Sequence, residues 1–272
     1  MCTQWLAIAG GLVSSLTSPT LAQAPSEPAE RSALRVCADP SGLPFSNDKD
    51  EGFENRIAAL FAQKLNVPLQ YTWYPNSVGF LRNTLRARRC DLVAGIVTGA
   101  DLVLNTNPYY RSSYVIVTRR ADNLNVDTIS DPKLAELRIG VTAGTPPADL
   151  AASSGLMAHA RPYQLFVDTR ADSPGKQMID DLVAKQIDAA LLWGPIAGYF
   201  ARQHGDALKI VPLVKEPKTI RMAFYISMGV RPGETEWKNT VNQLIRDNQD
   251  AITGILKEYR VPLLDERDNL LQ

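Results

Sequence analysis

Thiols, imidazoles and clustered carboxylates are the groups in this chain that could do chemistry, and their spacing narrows what that chemistry is. There are three cysteines, and Cys2 falls in a leader-like segment, which leaves Cys37 and Cys90. Two thiols in an oxidising compartment pair as a disulfide, the alternative being two buried free cysteines. A bond between them would close a loop of about 50 residues and stabilise the fold by about 4 kcal/mol through chain entropy. A metal or redox centre has little to draw on, because neither His159 nor His204 is near a cysteine in sequence. The acidic run Asp48-Lys49-Asp50-Glu51 lacks the regular ligand spacing of a calcium loop, and no G-x-S-x-G motif is present. The residues therefore argue for binding over catalysis, with no metal and no cofactor.

Two further features concern binding. Ala143-Gly144-Thr145-Pro146-Pro147 reads as a turn into a helix whose free N–H groups face any ligand at that edge. Val78 to Arg88 reads as a helix that buries Val78, Leu81 and Leu85, leaving Arg82, Arg86 and Arg89 as a stripe on its other side. That stripe is either a solvated face or a docking patch for an acidic protein. The formal net charge is zero, so no basic excess exists to neutralise nucleic-acid phosphates, and only a local patch can steer a partner.

The elements that position these residues follow from the hydrophobic pattern. Trp5 to Leu16 is a short apolar run with Ala22-Gln23-Ala24 behind it, which predicts a secretory signal over 1–24 and a flexible segment over 25–33. Leu34 to Ala38 predicts a strand, Ile57, Leu60, Phe61 and Leu65 one helix face, and Leu69 to Tyr74 a second strand. A third strand starts at Asp91, a turn is expected at Asn107-Pro108-Tyr109-Tyr110, and a strand follows from Tyr114 to Thr118. Strands are expected at 137–142, 161–167, 187–193, 208–213 and 222–230, and helices at 175–185 and 195–202. A helix runs from Glu234 to Tyr259 with a break near Asn248. One α/β unit followed by another, then a strand and helices left over, predicts a chain that crosses to a second lobe and returns. The expected lobes are 34–118 with 220–260, and 119–219, with a tail over 261–272.

The segments LRVCADPSGLPFSN, GFENRIAALFAQKL, CDLVAGIVTG, RIGVTAGTPPADL and IDAALLWGPIAGYF carry a resemblance over nearly the whole mature chain. It resembles the periplasmic solute-binding proteins of the type II fold, which serve amino-acid ABC importers. The pieces DPSGLPFSN, GFENRIA, PYYRSSYV and ISMGVR are similar to a narrower group, the solute-binding-like J proteins encoded beside quinoprotein methanol dehydrogenases, of the MxaJ/XoxJ type. This implies a two-lobed, doubly wound α/β fold with two hinge crossings. It also implies a non-catalytic periplasmic protein that assists maturation or activation of a pyrroloquinoline-quinone (PQQ) dependent methanol or alcohol dehydrogenase.

The resemblance also implies a cleft, and departures from it bear on the ligand. Asp39, Phe45, Thr98 and Tyr110 fall where relatives contact ligands; Asp39 is equally a turn former before Pro40. Amino-acid binders carry a Thr-Pro-Glu-Arg-like turn whose Arg clamps the carboxylate, whereas this chain has Thr98-Gly99-Ala100-Asp101-Leu102. The position that holds the ligand ammonium falls on Trp193, which is a cleft wall, a partner contact or core. Thr145 remains at the carboxylate-binding helix start, or serves as its N-cap. Amino-acid binding is therefore not expected, and the second reading is a receptor for a small non-amino-acid solute.

Overall fold

Residue 1 and residues 31–271 are described by a computed structural model; residues 2–24 of the expected leader and 25–30 of the expected flexible segment lie outside the described residues. The chain forms β1 (Leu34–Ala38), a small ribbon of β2 (Ser41–Gly42) and β3 (Ser46–Asn47), helix α1 (Phe53–Leu65) and β4 (Leu69–Trp73). α1 buries Phe53, Ile57, Ala58, Phe61 and Ala62 along one face and stops at Asn66, which adopts the left-handed conformation. A single turn, α2 (Phe80–Asn83), precedes β5 (Leu92–Val97) and the 16-residue β6 (Leu104–Arg119). The next unit comprises β7 (Ile139–Thr142), α3 (Pro146–Ser153), β8 (Ala160–Tyr163), α4 (Pro174–Val183), β9 (Ala189–Trp193), α5 (Gly194–Ala201) and β10 (Leu208–Pro212). β11 (Ala223–Val230), α6 (Thr235–Asp247) and α7 (Gln249–Glu258) return the chain, with the helix break at Asn248 as expected.

The strands join in the order β4-β1-β5-β11-β6-β9-β7-β8, with β10 also on β6. Each half of this sheet repeats one plan. In the first, β4, β1 and β5 are parallel and β11 runs antiparallel beside β5; in the second, β8, β7 and β9 are parallel and β6 runs antiparallel beside β9. Helical crossovers make such parallel strands possible. β6 belongs to both halves: Leu104 to Ser113 pair with β11, and Tyr114 to Thr118 with β9. This is the expected doubly wound, two-lobed architecture. One apolar cluster runs from Phe53, Ile57 and Phe61 of α1 to Met178 and Leu182 of α4, so the halves share core.

The Cys37–Cys90 disulfide is formed, tying β1 to the turn before β5. Beside it, the buried Asp91 carboxylate receives Arg35 in a two-pronged pair of 2.7 Å bonds, Arg231 at 2.6 Å and Arg31 at 2.9 Å. Burial alone would raise the Asp91 carboxyl, but hydrogen bonds from Arg35 and Arg231 and the charge of Arg31 hold it below its usual value.

Three expectations are corrected. Asn107 to Tyr110 is no turn but lies inside β6, because the pairing shifts register between Tyr110 and Pro108 and a bulge there accommodates a residue without an N–H. The helix over 78–88 is only Phe80–Asn83; Phe80 and Leu85 are buried while Val78 is 83% exposed, and Arg82, Arg86 and Arg89 sit on a string of turns, not on a helix face. The strand over 161–167 ends at Tyr163, leaving Leu165 and Phe166 exposed.

Candidate functional site

The site is built where the two halves meet. β9 ends at Trp193, directly opposite Tyr114 of β6, and Phe224, the second residue of β11, is nearby. The three half-buried rings contact edge to face, with centroids 5.2 Å apart for Tyr114 and Trp193, 6.1 Å for Trp193 and Phe224, and 6.2 Å for Tyr114 and Phe224. Tyr110 lies buried beside Trp193. Its ring stands perpendicular to Phe53 at 6.1 Å, and Phe53 in turn meets Phe45 at 5.4 Å. Burial and the neighbouring Glu54 push the Tyr110 hydroxyl up, against a hydrogen bond from the Trp193 indole. The sequence-derived Phe45, Tyr110 and Trp193 thus share one aromatic run.

Asp39 acts as a bridge between the two halves. Its carboxylate accepts from Ser41 N at 2.8 Å and Asn76 N at 2.7 Å, which is the turn-forming role. It also accepts from Thr169 Oγ1 at 2.6 Å. Thr169 belongs to the loop after β8, so this bond joins loops of the two halves. All three bonds are charge-assisted.

Glu54, near the start of α1, was not singled out by sequence. Protein surrounds its carboxyl, while the residue as a whole keeps partial access to solvent. Its Oε1 accepts from the Tyr109 hydroxyl at 3.4 Å, and that hydroxyl accepts from Gly95 N at 3.2 Å. Gly95 has φ +71°, and a Cβ there would come within 2.6 Å of Glu54 Oε1, so a side chain at this position is strained and displaces the Glu54 carboxyl. Burial pushes the Glu54 carboxyl up to about 8; the Tyr109 bond opposes this and the Asp39 charge adds to it. At neutral pH the group is largely a protonated acid, able to donate as well as accept.

The other expected residues stand apart. Thr145 occupies the N-cap position of α3 and is 1% exposed, but its hydroxyl donates backward to Thr142 O at 2.6 Å and does not cap the helix. Thr98 follows β5, its amide bonded to Tyr225 O and its hydroxyl without a hydrogen-bond partner. Arg82, Arg86 and Arg89, with Arg88 between them, are exposed and make no ion pair among the described residues. No group of three or more His, Cys, Asp or Glu among the described residues could hold a metal, and no described helix is long and apolar enough to cross a membrane.

Comparison with known proteins accords with this geometry. The profile of the bacterial extracellular solute-binding proteins, family 3, matches residues 34–259. The periplasmic binding protein XoxJ of Methylobacterium extorquens AM1 is 40% identical, over 86% of this chain and 100% of that one, with a TM-score of 0.73. MxaJ of Methlophaga aminisulfidivorans MPT shares the fold at 23% identity and a TM-score of 0.74, over 85% of this chain and 100% of that one. Protein MoxJ of Methylorubrum extorquens is 28% identical over 246 residues, 85% of this chain and 81% of its own. The chain therefore belongs to family 3 of the bacterial extracellular solute-binding proteins, with the type II fold in its MxaJ/XoxJ form.

Proposed function

We propose that this protein is a non-catalytic periplasmic accessory protein that binds a PQQ-dependent methanol or alcohol dehydrogenase and assists its maturation or activation. The partner comes from the resemblance to the J proteins encoded beside such dehydrogenases. The observation that carries the reading is the set of half-buried rings Trp193, Tyr114 and Phe224 where the two halves of the sheet meet, backed by the buried Tyr110 and Phe53, at the place where an amino-acid receptor of this fold needs charges. A ring surface of this kind takes an apolar segment of a protein in preference to a zwitterion, whose charges would lose water without gaining partners. Asp39, Phe45, Thr98, Tyr110, Thr145 and Trp193 are the proposed contact residues. Arg82, Arg86 and Arg89 are the proposed docking patch, and the lobes are 34–118 with 220–260, and 119–219.

The test is binding of the mature protein to the purified dehydrogenase of the same host, in apo and holo forms. Saturable binding supports the reading, and changing Arg82, Arg86 and Arg89 to Glu should weaken it most at low salt. No binding to either form overturns it. The receptor reading for an ABC importer draws on the same rings, which could stack on an uncharged solute. It requires a small molecule that raises stability by about 2.7 kcal/mol at a hundredfold excess over its Kd.

A further inference from the structure

The chain passes between the halves of the sheet twice, through β6 at Ser113-Tyr114 and through the segment from β10 to β11. Two such crossings make a hinge about which lobes can rotate. Residues beyond α7 add a third connection that is not covalent. We propose that the C-terminal segment Tyr259 to Leu271 is a strap that fixes the angle between the halves, so that the cleft holds a set aperture instead of opening and closing.

Tyr259 reaches both sides. Its hydroxyl donates to Glu51 O at 2.6 Å and its ring meets Phe53 at 5.7 Å, both in the first half. The same ring stacks on Tyr199 of α5 at 5.9 Å and 15°, with the Arg202 guanidinium 5.4 Å from it, both in the second. The next residue runs against α5 so closely that a Cβ on Gly198 would overlap the Arg260 carbonyl.

The strap then binds the crossing itself. Ser112 Oγ donates to Pro262 O at 2.7 Å, and Leu264 N to Arg111 O at 3.0 Å. The Arg111 guanidinium donates to Asp265 O at 2.8 Å and pairs with Asp268 at 2.5 Å. Arg111 and Ser112 are among the last β6 residues paired with β11 before Tyr114 joins β9, so a rotation of the halves must move these atoms against the strap. The strap is itself ordered: Val261, Leu263 and Leu264 are buried, Asp265 N donates to Asn269 O, and Leu271 N to Leu263 O, both at 2.9 Å. A loose tail would show none of these.

Spin labels attached at Arg86→Cys and Met157→Cys, one exposed site on each half, report the distance between halves by double electron–electron resonance. The full chain is expected to give one narrow distribution. Ending the chain after Leu264, or changing Arg111→Gln in the full chain, is expected to add a longer population while far-UV circular dichroism stays the same. A broad distribution in the parent, or an unchanged narrow one in a folded variant, overturns the proposal. Should the shortened chain not fold, Arg111→Gln decides. The readout involves no dehydrogenase, so its failure is separate from failure of the proposed function.

Discussion

Replacing Glu54 with glutamine should stabilise the protein, and by an amount that depends on pH. Unfolded, Glu54 loses its proton near 4.5; folded, it keeps it until about 8. Between those values the folded state binds one more proton than the unfolded state, so stability falls as pH rises. Below 4.5 both states are protonated and above 8 both are ionised, so in either range this residue adds no slope. The glutamine side chain does not titrate and, being the same shape, could still accept the Tyr109 hydroxyl. The gain of Glu54→Gln over wild type should therefore be near zero at pH 4 and grow by about 1.4 kcal/mol per pH unit. It should reach on the order of 3 kcal/mol at pH 7 and level off beyond pH 8. Urea unfolding of both proteins from pH 4 to 9, compared at each pH, isolates this one group from every other titration. Parallel stability curves would refute the argument, because they would mean that Glu54 ionises in the folded protein as it does in water.

Three other perturbations test other parts of the framework. Asp91→Asn leaves the guanidinium of Arg231 buried with its main charge partner gone and should cost about 3 to 5 kcal/mol in urea unfolding. The Asp91 contribution is present above the usual carboxylate value and is lost as pH falls through the depressed folded value, so the variant should also show a shallower loss of stability in acid. Changing Cys37 and Cys90 together to Ser should lower stability by about 2 to 5 kcal/mol, read as a shift in the urea midpoint under oxidising conditions only. Thr169→Val removes the hydroxyl that joins the two halves at Asp39 and should cost about 1.5 to 3 kcal/mol, with faster amide exchange in the loop after β8.

How much of this could be read in the sequence depended on whether the deciding contact was local. β1, α1, β9 and the break at Asn248 follow from apolar periodicity and appear as expected. β6 was obscured because Asn107-Pro108 is a turn signature; its partner Ile226-Ser227, more than a hundred residues away, holds it extended through a bulge. The arginine helix was obscured for the opposite reason. Val78, Leu81 and Leu85 have helical spacing, but Gly79 is left-handed at φ +91° and Arg88 at φ +58°, so turns bring Leu85 into the core. Glu54 carries no signal in the sequence beyond that of an acid in the first turn of a helix. Burial by residues far away in sequence, among them Tyr109 of β6 and Gly95 of β5, pushes its carboxyl up, against the pull of the Tyr109 bond. The polar tail after Leu264 gave no sign that it binds Arg111.

The proposed contact residues also bear on what could bind there, by what they leave free: they disfavour any charged solute, and the area of ring surface bears on the choice between an uncharged solute and a protein. A receptor for a charged solute must hold back charged groups that bind nothing until the solute arrives, since desolvating a ligand charge is costly unless a partner waits for it. Here the Asp39 carboxylate is already occupied by three donors, Thr145 is spent on Thr142, and Glu54 is largely neutral with Tyr109 as its partner. What remains accessible is ring surface on Trp193, Tyr114 and Phe224. Ring surface rewards burial of apolar area in proportion to the area covered, about 25 cal/mol per Å². A side-chain cluster on a protein covers more of it than a small solute does. A cleft held at a fixed aperture favours the same occupant, because a macromolecule brings its own walls to exclude water, whereas a small molecule depends on the lobes closing around it.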